Sequence, residues 1–175
     1  DKFIIFKDDA TGRSYLKVNK QLDYEAQTEL NITIIVADLD NNLLTNSADF
    51  SFEIDNVDEA PIVGNDTKDI TESIVFHADI NGGLLNNDSD PEGVILQIIK
   101  INDVQTDIGQ PITLASGALL TLQANGSFDY DPTTLHIDLA AGDEFIDSFT
   151  YTVTDGVNEV QGQVNLQVHG TNNTP

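Results

Sequence analysis

Leu30, Ile32, Ile34 and Val36 recur at every second position, and Phe50, Phe52 and Ile54 do the same a few residues on. Phe149, Tyr151 and Val153, then Val164, Leu166 and Val168, repeat the pattern near the other end of the chain. A period of two puts such residues on one face of an extended strand. No stretch of any length shows the 3.6-residue period of an amphipathic helix, so the chain is read as all-β. Further strands are expected at 3–6, 14–20, 70–76, 94–101, 119–122 and 127–130. Asn125-Gly126 between the last two predicts a hairpin closed by a type I′ turn.

Ile54-Asp55-Asn56-Val57-Asp58-Glu59-Ala60-Pro61-Ile62 divides the chain. It ends an alternating strand in a crowd of acids and a proline, which fixes its own φ and keeps the preceding residue extended. The expected domains are 1–61 and 62–175. Only about four strands precede the linker, whereas a sandwich of this kind needs about seven. The first domain is therefore read as incomplete at its N-terminus, and the chain as a slice of something longer. Half a sandwich leaves apolar faces such as Ile32, Ile34 and Phe52 uncovered. Residues 1–61 are expected to be the less stable part, completed by other strands.

Charge narrows the function classes. Thirty acids against seven Lys and Arg give a formal net charge of −23. That leaves no basic face for nucleic acid. The absence of cysteine removes disulfide, thiolate and zinc-thiolate chemistry. No apolar run approaches the ~20 residues of a membrane-spanning helix. His77, His136 and His169 share no metal-ligand spacing. Paired carboxylates can hydrolyse glycosides, but these lie on turns and poles with no aromatic platform, and no enzyme is expected. Asp88-Ser89-Asp90-Pro91-Glu92-Gly93 looks like the start of an EF-hand loop, yet Ile99 stands where the twelfth-position Glu belongs and no helices flank it.

Strand counting places the acids. A strand from about Thr28 to Ala37 rises roughly 3.3 Å per residue and spans about 30 Å. It starts just after Asp23 and Glu25 and ends at Asp38, and the return strand comes back to the linker. Asp23 and Glu25 are therefore expected beside Asn56 and Asp58, with Asp38 and Asp40 at the opposite pole. Asp155 ends an ascending strand, which puts it with Asp88 and Asp90 at the linker pole of the second domain. So many carboxylates repel one another unless a cation sits among them. Hard cations such as Ca2+ take six to eight oxygen ligands. A merely solvated acidic linker is the other reading. For Asp38 and Asp40 a plain turn stands beside a second metal site.

Two resemblances follow from these motifs. The order Leu22-Asp23-Tyr24-Glu25, apolar strand, Ala37-Asp38, apolar strand, Asn56-Val57-Asp58-Glu59-Ala60-Pro61 resembles the second half of a cadherin-like repeat. Asn87-Asp88-Ser89-Asp90-Pro91-Glu92-Gly93, Asn125-Gly126-Ser127-Phe128-Asp129-Tyr130, Asp147 to Gly156 and Gly170-Thr171-Asn172-Asn173-Thr174-Pro175 resemble the VCBS or tandem-95 cadherin-like domains of bacterial RTX-type adhesins. The resemblance implies tandem cadherin-like, Ig-like β-sandwiches. It also implies that Asp23, Glu25 and Asp58 are side-chain calcium ligands, that Asn56 donates a backbone carbonyl, and that the aspartates of the second domain complete the set. The function it implies is a calcium-rigidified extender of a large bacterial surface adhesin, secreted and at the cell surface. Its partners would be neighbouring repeats of the same polypeptide, with any host-surface ligand bound elsewhere in the full-length protein. The alternative is a peptide- or carbohydrate-binding module of the same adhesin; the absence of Trp speaks against it.

Overall fold

The computed structural model of the chain describes residues 2–38, 45–135 and 139–171, the side chain of Thr106 excepted. Asp40, His136 and the closing 172–175 lie outside the described residues. The described chain is all-β apart from three short 3-10 turns, and it divides into two compact units, 1–57 and 58–175.

Unit 1 is built from two hairpins. Strands β1 (Phe3–Lys7) and β2 (Ser14–Val18) pair antiparallel, as do β3 (Glu29–Ala37) and β4 (Thr45–Glu53). The registers Phe3↔Val18 and Ile5↔Leu16 set one apolar face on the first hairpin, and Leu30↔Phe52 and Ile32↔Phe50 set one on the second. Phe3, Leu16, Val18, Leu22, Leu30 and Phe52 line a shared cleft of about 330 Å3. Among the described residues of this unit Leu30 is the one buried hydrophobic side chain. Ile34 and Phe52 are exposed and Ile32 half-buried.

Unit 2 carries the well-packed core. Its strands are β5 (Asp66–Thr71), β6 (Phe76–Ala78), β7 (Gln97–Ile101), β8 (Pro111–Thr113), β9 (Leu119–Leu122), β10 (Phe128–Asp131), β11 (Glu144–Thr154) and β12 (Glu159–His169). They form two four-stranded sheets, ordered β6-β10-β9-β8 and β5-β12-β11-β7. All pairs are antiparallel except β5 with β12. Leu120, Leu122, Phe128 and Tyr130 of the first sheet are buried with Phe149, Tyr151, Val153, Val164, Leu166 and Val168 of the second. Phe128 meets Phe149 edge-on at 6.5 Å between ring centres and Phe76 at 5.6 Å. Each such buried side chain stabilises the fold by roughly 1.5–3 kcal/mol.

Three local expectations are corrected. The apolar run 70–76 is not one strand: it breaks at Glu72, and the chain passes from one sheet to the other between β5 and β6. Glu72 is buried there because its carboxylate accepts from the N–H of Leu139 at 2.9 Å and of Thr171 at 3.0 Å. Only Gln97–Ile101 of the apolar run 94–101 pairs as a strand. The hairpin after β9 is not type I′, which needs positive φ at both central residues. Here Gly126 alone is left-handed (φ 84°), with Gly126 N–H donating to Gln123 O and Gln123 N–H to Ser127 O. That is the three-residue loop with a glycine bulge. Gly126 is also pressed against the backbone of Leu84 and Leu85, where a Cβ would come within 2.9 Å of Leu85 N.

Gly162 faces Tyr151 directly across β11 and β12. A Cβ there would lie 2.5 Å from the ring of Tyr151, which is fully buried and has no room to yield. Gly162→Ala is expected to destabilise unit 2 by about 1–3 kcal/mol through overpacking, read as a lower midpoint in urea with an unchanged slope. A midpoint equal to wild type would show that the ring shifts freely.

Candidate metal centre

The pole of unit 2 where its chain begins gathers acids from three segments. Asp58 and Glu59 open the unit. Ile62 and Ser89 exchange backbone hydrogen bonds of 2.8 and 3.0 Å, which fixes the opening segment against the turn that carries Asp90 and Glu92. Asp155 comes from the end of β11, the third segment.

Each turn is held by its own acid. Asp90 Oδ1 accepts from Val94 N–H at 3.0 Å, and Gly93 supplies the left-handed residue (φ 71°). Asp155 Oδ1 accepts from Val157 N–H at 2.6 Å and Asn158 N–H at 2.7 Å, an Asx turn with Gly156 at φ 108°. These hydrogen bonds, that of Val157 first, hold the Asp155 carboxyl below its ordinary range. Glu59 N–H donates to Glu92 Oε1 at 3.2 Å, and the two carboxylates bring oxygens within 4.8 Å of each other.

The amide of Asn158 joins the segments. Its Nδ2 lies 2.6 Å from Asp58 Oδ2, 3.2 Å from Asp155 Oδ2 and 3.5 Å from Glu59 O. It has only two hydrogens to give. Lys68 and Lys100, the cations of this unit, are engaged elsewhere, with Asp66 at 3.7 Å and Glu159 at 2.5 Å. The consequence shows at Asp58, whose carboxyl is pushed above its ordinary range. Desolvation is the first cause, then the charges of Asp155 and Glu92, with Asp90 adding and the Asn158 hydrogen bond opposing. Asp90 Oδ2 and Glu92 Oε2 are buried and accept no hydrogen bond among the described residues. A buried carboxylate oxygen without a partner is costly. An all-oxygen donor set with orphaned, inward oxygens fits a hard cation.

The sequence of the bacterial cadherin-like domain matches residues 58–170. The chain belongs to that family. The human desmocollin-1 ectodomain is similar over 99% of this chain and 32% of its own, at 14% identity and a TM-score of 0.60. Two domains of human protocadherin-24 are similar over 99% of this chain and 82% of theirs, at 14% identity and a TM-score of 0.45. The chain thus spans about a third of the desmocollin ectodomain it matches. No curated protein sequence matches it. Cadherin-like families are typically non-enzymatic adhesion domains that generally bind calcium, and an extracellular or surface location fits them. No helix among the described residues is long and apolar enough to cross a membrane.

Unit 2 brings Asp58, Asp90 and Asp155 together, whereas strand counting sets Asp155 with Asp88 and Asp90, and Asp58 with Asp23, Glu25 and Asn56. Asp88 is spent differently: its carboxylate accepts from Gly64 N–H at 2.8 Å and stands 3.3 Å from the Tyr151 hydroxyl. In unit 1, Asp23 Oδ1 accepts from Ala26 N–H at 2.9 Å within the exposed turn that also holds Glu25. Tyr24, Thr28, Asp55 and Asn56 line one hollow, so Asn56 lies at the same end of that unit as this turn. Asp38 lies at the far end, beside Val36, Ala37 and Thr45. Glu59, Glu92 and Asn158 were missed as site residues. Glu92 follows the Asp90-Pro91 turn and Asn158 the Asp155-Gly156 turn, and both signals were legible.

Asp58→Asn is expected to act in opposite directions with and without cation. In chelator it removes repulsion and raises the melting temperature. With Ca2+ it lowers affinity about tenfold. The sign follows from the raised carboxyl: the folded state binds the extra proton, so Asp58 adds stability as pH falls into the carboxylate range and none at neutral pH. Melting from neutral to acidic pH in chelator checks this; the variant should lose that part of the slope.

Proposed function

We propose that the chain is a calcium-rigidified extender of a large bacterial surface adhesin of the RTX type, with unit 2 a VCBS-like repeat. The observation that carries the reading is the pair of buried, unsatisfied carboxylate oxygens on Asp90 and Glu92, set among Asp58 and Asp155 with no Lys or Arg of their own unit in reach. Bound calcium would supply the missing positive charge. Asp58, Asp90, Glu92 and Asp155 would hold it, with the Glu59 carbonyl near. Asp23, Glu25 and Asn56 are retained as cation-binding oxygens of unit 1, and Asp38 and Asp40 as a second site at its far end. Asp88 serves as the residue that positions the Asp90 turn.

Rigidification follows from where the ligands come from. The opening segment, the 88–93 turn and the 155–158 turn are separate loops, joined by the Ile62–Ser89 backbone pair, the N–H bonds of Glu59 to Glu92 and of Gly64 to Asp88, and the Asn158 amide. A shared ion would tie all three, so local opening of any one would cost the binding energy of the ion. Extracellular modules bind calcium at about 10⁻⁴–10⁻³ M. At millimolar ion that adds roughly 0.4–1.4 kcal/mol per site, small in a melt and large enough to slow local opening. Neighbouring repeats of the same polypeptide are the partners of an extender, and the ligand that such an adhesin grips lies elsewhere in it.

The alternative, a peptide- or carbohydrate-binding module, has one feature in its favour. Asn81, Asn86 and Asn125 with Ile80, Val94 and Ile95 line an open hollow of about 400 Å3.

Calorimetric titration with Ca2+, paired with amide exchange in chelator and in calcium, separates the readings. The extender reading expects submillimolar binding and about three- to tenfold slower exchange in 55–62 and 88–94. No calcium heat and identical exchange in both buffers would leave the acids merely solvated and overturn it.

A further inference from the structure

The side-chain nitrogen of Asn158 has three oxygens around it: Asp58 Oδ2 at 2.6 Å, Asp155 Oδ2 at 3.2 Å and Glu59 O at 3.5 Å. Carboxylates and a backbone carbonyl only accept hydrogen bonds, so the edge of the amide that faces them is its NH2 edge. Asp58 and Glu59 belong to the segment that opens unit 2, and Asp155 to the turn after β11. A group of partial positive charge, set among oxygens where two loops of an acidic pole meet, occupies the kind of position a small cation takes.

The root of this side chain is fixed and its end is not. Asn158 N–H donates to Asp155 Oδ1 at 2.7 Å, and Asn158 O accepts from Thr154 Oγ1 at 2.8 Å, which holds the backbone in its turn. The amide hangs on two rotatable bonds, and a half-turn about the second exchanges Nδ2 and Oδ1. Oδ1 accepts no hydrogen bond among the described residues, so the half-turn breaks bonds at the nitrogen end alone. The neutrality of the amide matters as much as its reach. A lysine ammonium in this place would cancel a charge of the pole and compete with an ion. The amide draws Asp58 and Asp155 together and cancels neither charge. The Asp58 carboxyl accordingly stays above its ordinary range, through desolvation first and then the charges of Asp155 and Glu92.

We infer that Asn158 is a stand-in for the ion, a role that rests on the calcium reading of this pole: its NH2 edge holds Asp58 to Asp155 while the pole is free of cation, and the amide turns over to present Oδ1 when a cation enters. One side chain thus assembles the donor set in advance and then joins it. The opening segment stays docked on the 155–158 turn without calcium. Binding requires the loss of the Nδ2 hydrogen bonds, which lowers affinity toward the weak range of extracellular modules.

The test follows the side-chain NH2 signals of Asn158 in the 15N-labelled 175-residue chain, first in chelator and then with Ca2+ alone. They are assigned by their loss in Asn158→Ala, and Ca2+ binding is measured in parallel by calorimetry. In chelator the pair is expected to exchange slowly with solvent; in saturating Ca2+ it should shift and exchange about tenfold faster. Asn158→Ala, without donor or ligand oxygen, should speed backbone exchange in 58–62 in chelator and weaken Ca2+ binding about tenfold. Asn158→Asp, a charged oxygen of the same size, should melt lower than wild type in chelator and bind Ca2+ about tenfold more tightly. Ca2+ heat with the Asn158 pair unmoved and still protected overturns the inference and leaves the calcium reading standing. A pair already unprotected in chelator overturns it as well, since the amide would then hold nothing. No Ca2+ heat in the wild-type chain overturns both.

Discussion

The hydroxyl of Tyr151 is the point from which the acidic pole of unit 2 is built. It lies 3.1 Å from Gly64 O, 3.0 Å from Asp66 Oδ2 and 3.3 Å from Asp88 Oδ2, deep in the core. One proton cannot serve three acceptors at once. Burial first, and then the two carboxylates, push the tyrosine far above its ordinary range, so it stays a donor. Burial in turn raises both Asp66 and Asp88, with the Tyr151 bond opposing. This contact ties the segment after the linker, the turn before Asp90 and strand β11 to one atom. Asp58, Asp90 and Asp155 each lie within six residues of one of the groups so tied. Their convergence is thus a consequence of core packing, and the crowding of their charges is imposed on them.

The long strands were readable because nothing local competes with their period. β3 and β11 follow the alternation of apolar residues almost to the residue, whereas β4 and β12 begin five residues before it, at Thr45 and Glu159. What was illegible has a tertiary cause in each case. The break at Glu72 exists because a carboxylate from β5's end caps backbone groups 67 and 99 residues away. The glycine-bulged loop replaces a type I′ turn because Gly126 must fit under the 84–87 turn. At the site, counting strand lengths sets Asp155 at the pole of the turn that carries Asp88 and Asp90, since poles follow from strand direction, and Asp58 enters from the linker motif. It could not tell Asp90 from Asp88, two positions apart in one turn, because the difference lies in which of them meets Tyr151.

The two units show the limit of an alternating pattern. β3 and β4 read as clearly as β11 and β12, with a cleaner period, yet their inward residues are mostly exposed. Alternation specifies that a face wants covering. It carries no information about what covers it. In unit 2 the covering sheet is on the same stretch of chain, and eighteen side chains are buried in one cluster. In unit 1 the second layer is as narrow as the first.

Charge is distributed to match that difference. Nineteen of the thirty acids and two of the seven cations fall in unit 2, whose core is large enough to tolerate repulsion at its surface. Unit 1, with little burial, keeps the remaining five cations, and all of them lie within 1–20, a stretch that also holds Asp8 and Asp9. Unit 2 thus carries the crowded carboxylates on the better-packed core, and unit 1 the larger share of the cations. Repulsion at the pole would be relieved by a small ion, which needs oxygens and no apolar surface. The open face of unit 1 needs apolar surface, which a small ion cannot supply.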